Sequence, residues 1–252
     1  MPRRYYYWTI IIILTSCAPF LRRPSAFEKG VELYQQSSYQ EAAGYFTDHY
    51  NTHPSDTTTL FYLQHCYRIL GQHEQELAVL ERLAHLGIDN ANVYLNLFHY
   101  YGKASRYHDL YTMLVTLAPS AARAIDHHYV LTRRLYAQLI AGAAQKRVSD
   151  PIVYAASEGY IPIFPDGTFR DHDTITNGQL IVLLDRLIEP VYPKKFFSTK
   201  HISNHSFLYL PYMRLVNLGI LSFDADIEPH ATAATTVAAR AIERLKQRGV
   251  ID

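Results

Sequence analysis

"FEKGVELYQQSSYQEAAGYFTDHYNTHP", Phe27 to Pro54, sets the period of the first half of the chain. It reads as two antiparallel helices. Gly30 and Ala42 are small where the helices must approach closely, Tyr39 and Phe46 fill the space between them, and Pro54 ends the second helix. Working outward, the same positions return at a constant step. Tyr39, His73 and Tyr107 stand 34 residues apart, as do Ala26, Leu60 and Tyr94, and Phe46, Leu80 and Leu114. Leu83 and Leu117 follow the same step, and Gly71 keeps the turn of the second copy, while Glu76 and Leu110 take the place of the small Ala42.

A period of about 34 residues with Gly30, Tyr39, Ala42, Phe46 and Pro54 at these positions resembles the tetratricopeptide repeat family. The resemblance implies a helical hairpin array of about three repeats. After Pro119, residues 121–147 ("AARAIDHHYVLTRRLYAQLIAGAAQKR") read as one long helix that caps the last repeat, with Ile125, Tyr129, Leu131, Leu135, Leu139 and Ile140 at roughly helical spacing. Array and cap together make a domain over 26–148. The family commonly binds peptide segments on the concave face lined by each first helix. By register that face is Phe27, Tyr34, Phe61, His65, Arg68, Leu95, His99 and Lys103. It suits a peptide with aromatic or apolar contacts and a carboxylate for Arg68 or Lys103, and the alternative for the array is a rigid spacer. His127 and His128 are adjacent on a helix and do not share a face, so they are not read as a metal pair.

The second half carries a longer duplication. Asp166 and Asp224, Phe169 and Ile227, and Thr174 and Thr232 are each 58 residues apart, and Asp185-Arg186-Leu187 aligns with Glu243-Arg244-Leu245 at the same offset. Each copy reads as a helix, a Gly-terminated turn at Gly159 or Gly219, a short apolar run, an Asp-containing loop and a Thr-led helix. Thr176 or Asn177 is expected to cap the first of these helices, and Thr235 or Thr236 the second. Arg186 and Arg244, beside acids, are expected in structural ion pairs. The Gly159-Tyr-Ile, Asp166-Gly-Thr-Phe-Arg and Ile175-Thr176 stretches resemble the S-layer homology family. The resemblance implies a small, mostly helical domain over 149–252 with two units, and a motif of Gly159, Asp166, Gly167, Phe169, Arg170 and Thr176. That family grips anionic wall polysaccharide with an arginine that follows the threonine. Here Asn177-Gly178-Gln179 and Val237-Ala238 occupy those places. Between the copies lies an irregular basic and aromatic connector with Lys194, Lys195, Lys200, Phe196 and Phe197. It is expected to be a solvated linker with two buried phenylalanines, and the alternative is a contact with an acidic glycan or a partner.

The N-terminus pairs Arg3-Arg4 with an apolar core from Trp8 to Leu14, about half of the roughly 20 residues a spanning helix needs. Leu14-Thr15-Ser16-Cys17 resembles the lipobox of bacterial lipoproteins. That implies a signal peptide over 1–16, an acylated Cys17, and a lipidated tether over 17–25. No cofactor is expected beyond this covalent lipid. Ala18 favours the outer membrane over the cell membrane, with the protein facing the periplasm or the surface. The second cysteine, Cys66, then has no partner and is expected to be a small buried hydrophobe.

The net charge is +1, or −1 without Arg3 and Arg4, and no basic stripe suggests nucleic acid. There is no phosphate loop, His-Glu-x-x-His or nucleophile elbow, and the aspartates of 166–173 lack calcium-loop spacing. The mainly α chain is therefore expected to be a non-enzymatic envelope lipoprotein. Its repeats scaffold a protein or peptide partner, and the S-layer-like module is an accessory. The alternative is an anchor to peptidoglycan or a linked polymer, and the third reading is a glycan-processing enzyme.

Overall fold

The 34-residue period reappears in the backbone of the computed structural model, which describes residues 23–145 and 148–251. Helices α2 (Tyr39–Thr52), α4 (His73–His85) and α6 (Tyr107–Thr116) begin at the three residues that the period aligns. The turns ahead of them pass through Ser37, Gly71 and Ser105, again 34 apart, at φ of 61°, 67° and 56°. Ser37 and Ser105 thus take the left-handed conformation that Gly71 adopts freely. Twelve α-helices and no β-strand occur among the described residues, an all-α fold, in two compact units that meet at His73 and Glu74.

In the first unit, α1 (Ala26–Gln35) opens with a capping box between Ser25 and Glu28, and α3 (Thr57–Ile69) is capped by Asp56, which accepts from the Thr58 amide at 3.0 Å. A Cβ on Gly30 would sit 2.7 Å from the Phe46 ring, so glycine is what lets α1 close on α2. Phe46 is fully buried and stacks on Tyr62 with ring centroids 4.8 Å apart. Cys66 is buried as a free thiol, and burial pushes its pKa up to about 11.

The second unit holds α5 (Ala91–Lys103), α6, α7 (Pro119–His128), α8 (Arg133–Ala143), α9 (Pro151–Ser157), α10 (Asn177–Asp185), α11 (Tyr209–Asn217), α12 (Thr235–Lys246) and nearly all of α4. Glu76, where the first repeat has Ala42, is buried and accepts from the Tyr100 hydroxyl, so the larger polar residue is satisfied inside its own unit. The long helix expected over 121–147 is instead two helices. The chain breaks at Tyr129–Thr132, where the Tyr129 ring stacks on Phe98 at 3.9 Å and Thr132 caps α8 through the Leu135 amide at 3.1 Å. Helical periodicity continued through the break because Tyr129 and Leu131 are apolar for packing reasons of their own. A Cβ on Gly142 would run into the Tyr107 carbonyl, which brings α8 tight against α6. The boundary expected between 148 and 149 therefore lies within this unit, where α8 also packs on α9.

The 58-residue duplication is visible as matched helix starts: α9 and α11 begin at 151 and 209, α10 and α12 at 177 and 235. Gly159 and Gly219 follow α9 and α11 at φ of 75° and 68°, as helix ends of this kind require. No helix among the described residues is long and apolar enough to cross a membrane. The expected signal peptide and the Cys17 lipid lie outside the described residues.

Candidate functional site

Three helix entries are laced together in the second unit. Leu131, Ile175 and Ala233 are all buried, one residue ahead of the N-caps of α8, α10 and α12. The Ile175 amide donates to the Leu131 carbonyl at 2.8 Å, and the Ala233 amide donates to the Ile175 carbonyl at 2.9 Å. Isolated antiparallel bridges join Thr132 to Thr174 and Thr176 to Thr232. The Thr235 hydroxyl reaches back to the Tyr129 carbonyl at 3.0 Å. Two duplicated entries were expected, and α8 supplies a third.

Their caps differ. Thr176 caps α10 in a box with Gln179, as expected. The N-cap of α12 is Ala234, which has no side-chain oxygen, and neither Thr235 nor Thr236 serves. Asp126 of α7 takes over, accepting from the Thr236 amide at 2.9 Å and its hydroxyl at 2.6 Å.

The motif residues of 164–176 gather around α8. Gly167 turns at φ of 79°, and the Asp166 carboxylate accepts from the Thr168 hydroxyl at 2.6 Å, the Thr168 amide at 2.9 Å and the Arg170 guanidinium at 2.7 Å. The Thr168 hydroxyl first, then Arg170, hold that carboxyl well below the usual aspartate range. Arg170 has a φ of 51° and lies 4.0 Å from the Phe164 ring centre. The loop docks on the first turn of α8. The Arg133 and Arg134 amides donate to the Asp173 and Asp171 carbonyls at 2.9 Å, and the Arg134 guanidinium holds the Asp171 carboxylate at 2.9 and 2.5 Å.

Arg133 is the residue that sequence reasoning missed. Only 9% exposed, its guanidinium lies between Phe164 and Phe169, 4.6 and 4.7 Å from their ring centres. Nε donates to the Phe169 carbonyl at 2.6 Å and Nη2 to the Pro162 carbonyl at 2.5 Å. Asp173 attracts it at longer range, but among the described residues no carboxylate comes within ion-pair distance, and burial lowers its pKa. It forms part of the wall of a groove of about 770 Å³ that also takes in Phe164, Gln179, Val182, His201 and Phe207. The signal was in the sequence. Thr132-Arg133 is the Thr-Arg pair sought after Thr176, but it stands 44 residues upstream and the 58-residue offset passes over it.

Other expected pairs are rearranged. Asp185 is bound by Arg214 of α11 through two contacts of 2.8 and 2.6 Å, not paired with Arg186. Arg244 donates to the Ile220 carbonyl, and Glu243 accepts from the Tyr111 hydroxyl. Phe197 packs on Phe223, whereas Phe196, expected to be buried, is 46% exposed.

The concave-face residues are divided between the units. In the first, Phe27 contacts Phe46, His49 and Tyr62, and the Tyr34 hydroxyl lies 2.8 Å from His65 Nδ1. Phe61 is half-buried and Arg68 is exposed. In the second, Leu95 is half-buried, while His99 and Lys103 are exposed. Among the described residues, no group of three or more His, Cys, Asp or Glu is placed to hold a metal ion. No protein-family model, no curated protein and no solved structure matches this chain.

Proposed function

We propose that the chain is a non-enzymatic cell-envelope lipoprotein whose second unit, read as an S-layer-like module, anchors it to an anionic wall polymer. The observation that carries this reading is Arg133. A buried cation is ordinarily paired, because leaving it uncompensated in a low-dielectric setting is expensive. Here two carbonyls and two ring faces hold it, and the residue also lines a groove. A carboxylate, phosphate or pyruvate group on a saccharide would complete its coordination, and the planar guanidinium favours such a group over a neutral one.

The test is retention of the detergent-extracted, full-length protein on purified sacculi. Arg133→Gln removes the cation, and Val182→Trp obstructs the groove from a position that is 41% exposed. Each is expected to lower retention at least about tenfold, and Val182→Trp should do so with Tm unchanged. Retention that survives both substitutions ends this reading.

A second role belongs to the repeat helices as a scaffold for an envelope protein or peptide segment. It is favoured by Arg68, exposed on α3 of the first unit, and separately by His99 and Lys103, exposed on α5 of the second. Replacing Phe61 and Arg68 together should abolish co-purification of that partner from membrane extracts. Undiminished capture would remove Phe61 and Arg68 from the peptide-binding assignment.

A further inference from the structure

The connector between α10 and α11 presents a row of aromatic rings to solvent and fastens the backbone beneath it. Tyr192 is 75% exposed and Phe196 46% exposed. Their ring centroids are 5.7 Å apart, and Phe196 lies in turn 6.2 Å from Tyr209, stacked at 19°. The side-chain amide of Asn217 grips Lys195 from both sides, accepting from its amide at 2.8 Å and donating to its carbonyl at 2.8 Å. One residue past Phe196, the Phe197 carbonyl accepts from the Tyr209 hydroxyl at 3.1 Å, and the Phe197 amide meets the Met213 sulfur at 3.4 Å. These contacts turn Phe197 inward onto Phe223 and hold Phe196 outward. A chain that only needed to cover the core would have no use for a pinned, outward phenylalanine beside a nearly free tyrosine, and exposed apolar rows of this kind mark contact surfaces.

Two lysines stand beside these rings, with Glu189 three residues ahead of Tyr192. Lys194 and Lys195 lie between Tyr192 and Phe196, both are exposed, and neither has an ion-pair partner among the described residues. We infer that Tyr192, Phe196 and Tyr209, with Lys194 and Lys195, form a second binding platform that takes an acidic polysaccharide strand outside the Arg133 groove. The choice of an acidic glycan rests on the proposed polymer-anchoring role. The tilted rings offer successive flat faces to sugar rings, at steps comparable to one residue of an extended chain, while the lysines meet carboxylates or phosphates along it. Rings with lysines also suit a headgroup layer, but here Phe196 is stacked against Tyr209 and held at the surface, which favours a flat ligand over insertion. A platform and a groove on one compact unit would hold one polymer at two points, which raises avidity without tightening either site.

Full-length, detergent-extracted protein titrated onto immobilised polygalacturonate tests this, with dextran as the neutral control and phosphatidylglycerol vesicles as the membrane arm. Tyr192→Ala/Phe196→Ala should weaken polygalacturonate binding about tenfold, with Tm unchanged. Lys194→Gln/Lys195→Gln should weaken it about threefold, and that difference should vanish at high salt. The ring pair should weaken an Arg133→Gln background by about the same factor, since no platform residue lines the groove. Equal binding by wild type and the ring variant overturns the platform, as does equal ring-dependent binding to dextran or ring dependence confined to the vesicles. Ring-dependent binding to polygalacturonate with undiminished sacculus retention by Arg133→Gln would instead keep the platform and remove the groove.

Discussion

The α1–α2 hairpin and the helix entries of the second unit both descend from repeated sequence, yet different forces hold them. The hairpin is closed by contacts between neighbours in the chain: Gly30 admits the Phe46 ring, and Phe46 meets Phe27 and Tyr62. The entries are held by directed polar bonds between segments far apart in sequence, such as Ile175 to Leu131 and Asp126 to Thr236. Apolar packing tolerates drift as long as volume is conserved. A hydrogen-bonded entry tolerates drift only if some other residue supplies the missing partner, as Asp126 does for α12. The two kinds of repeat therefore degrade differently, the first into changed side chains and the second into changed partners.

The contrast can be broken most sharply at Phe46. Truncating this fully buried ring to alanine should destabilise the first unit by about 4 kcal/mol, from lost transfer energy and the cavity left behind. Urea denaturation followed by circular dichroism reads it, and a loss under about 1 kcal/mol would show that rings do not hold the hairpin. Asp126→Ala comes next. It removes two charge-assisted bonds at the α12 entry and should cost about 2 kcal/mol. Thr176→Ala removes one neutral bond at the α10 entry and should cost about 1 kcal/mol, by the same measurement. If the order of these two is reversed, the distinction between remote and local capping fails.

The smallest effect is a pH dependence confined to the first unit. Burial raises the Asp56 carboxyl, but hydrogen bonds from the Thr59 hydroxyl, the Thr58 and Thr59 amides and His49 outweigh it, and the net shift is downward. A depressed folded pKa contributes stability above the unfolded aspartate value of about 3.9 and loses it as pH falls through the lower folded value. The urea midpoint of the first unit should therefore drop as pH falls below about 4, and Asp56→Asn should flatten that acid limb. An unchanged limb in the variant would place the dependence elsewhere.

Much of this was legible because it is local. The helix starts at Tyr39, His73 and Tyr107, the close approach at Gly30, the left-handed Gly159 and Gly219, the Thr176 cap and the burial of Cys66 each follow from a spacing or residue type that acts within a few positions. The break at Tyr129–Thr132 was not legible, since Tyr129 and Leu131 continue an apolar pattern while their backbone turns to meet other elements. Nor was Arg133, whose neighbours Phe164 and Phe169 lie more than thirty residues away.

The sequence by itself determined the mainly α class, the 34- and 58-residue periods and a few helix ends, such as those at Gly159, Thr176 and Gly219, because periodicity, glycine and capping chemistry act over a single turn. Tertiary structure decided which partners complete those elements: that α8 joins the duplicated helices as a third entry, that Asp126 caps α12, that Arg214 binds Asp185, and that Arg133 is buried without a carboxylate beside a groove. Bonds across tens of residues are selected by the packing of whole helices, and no local pattern records that choice.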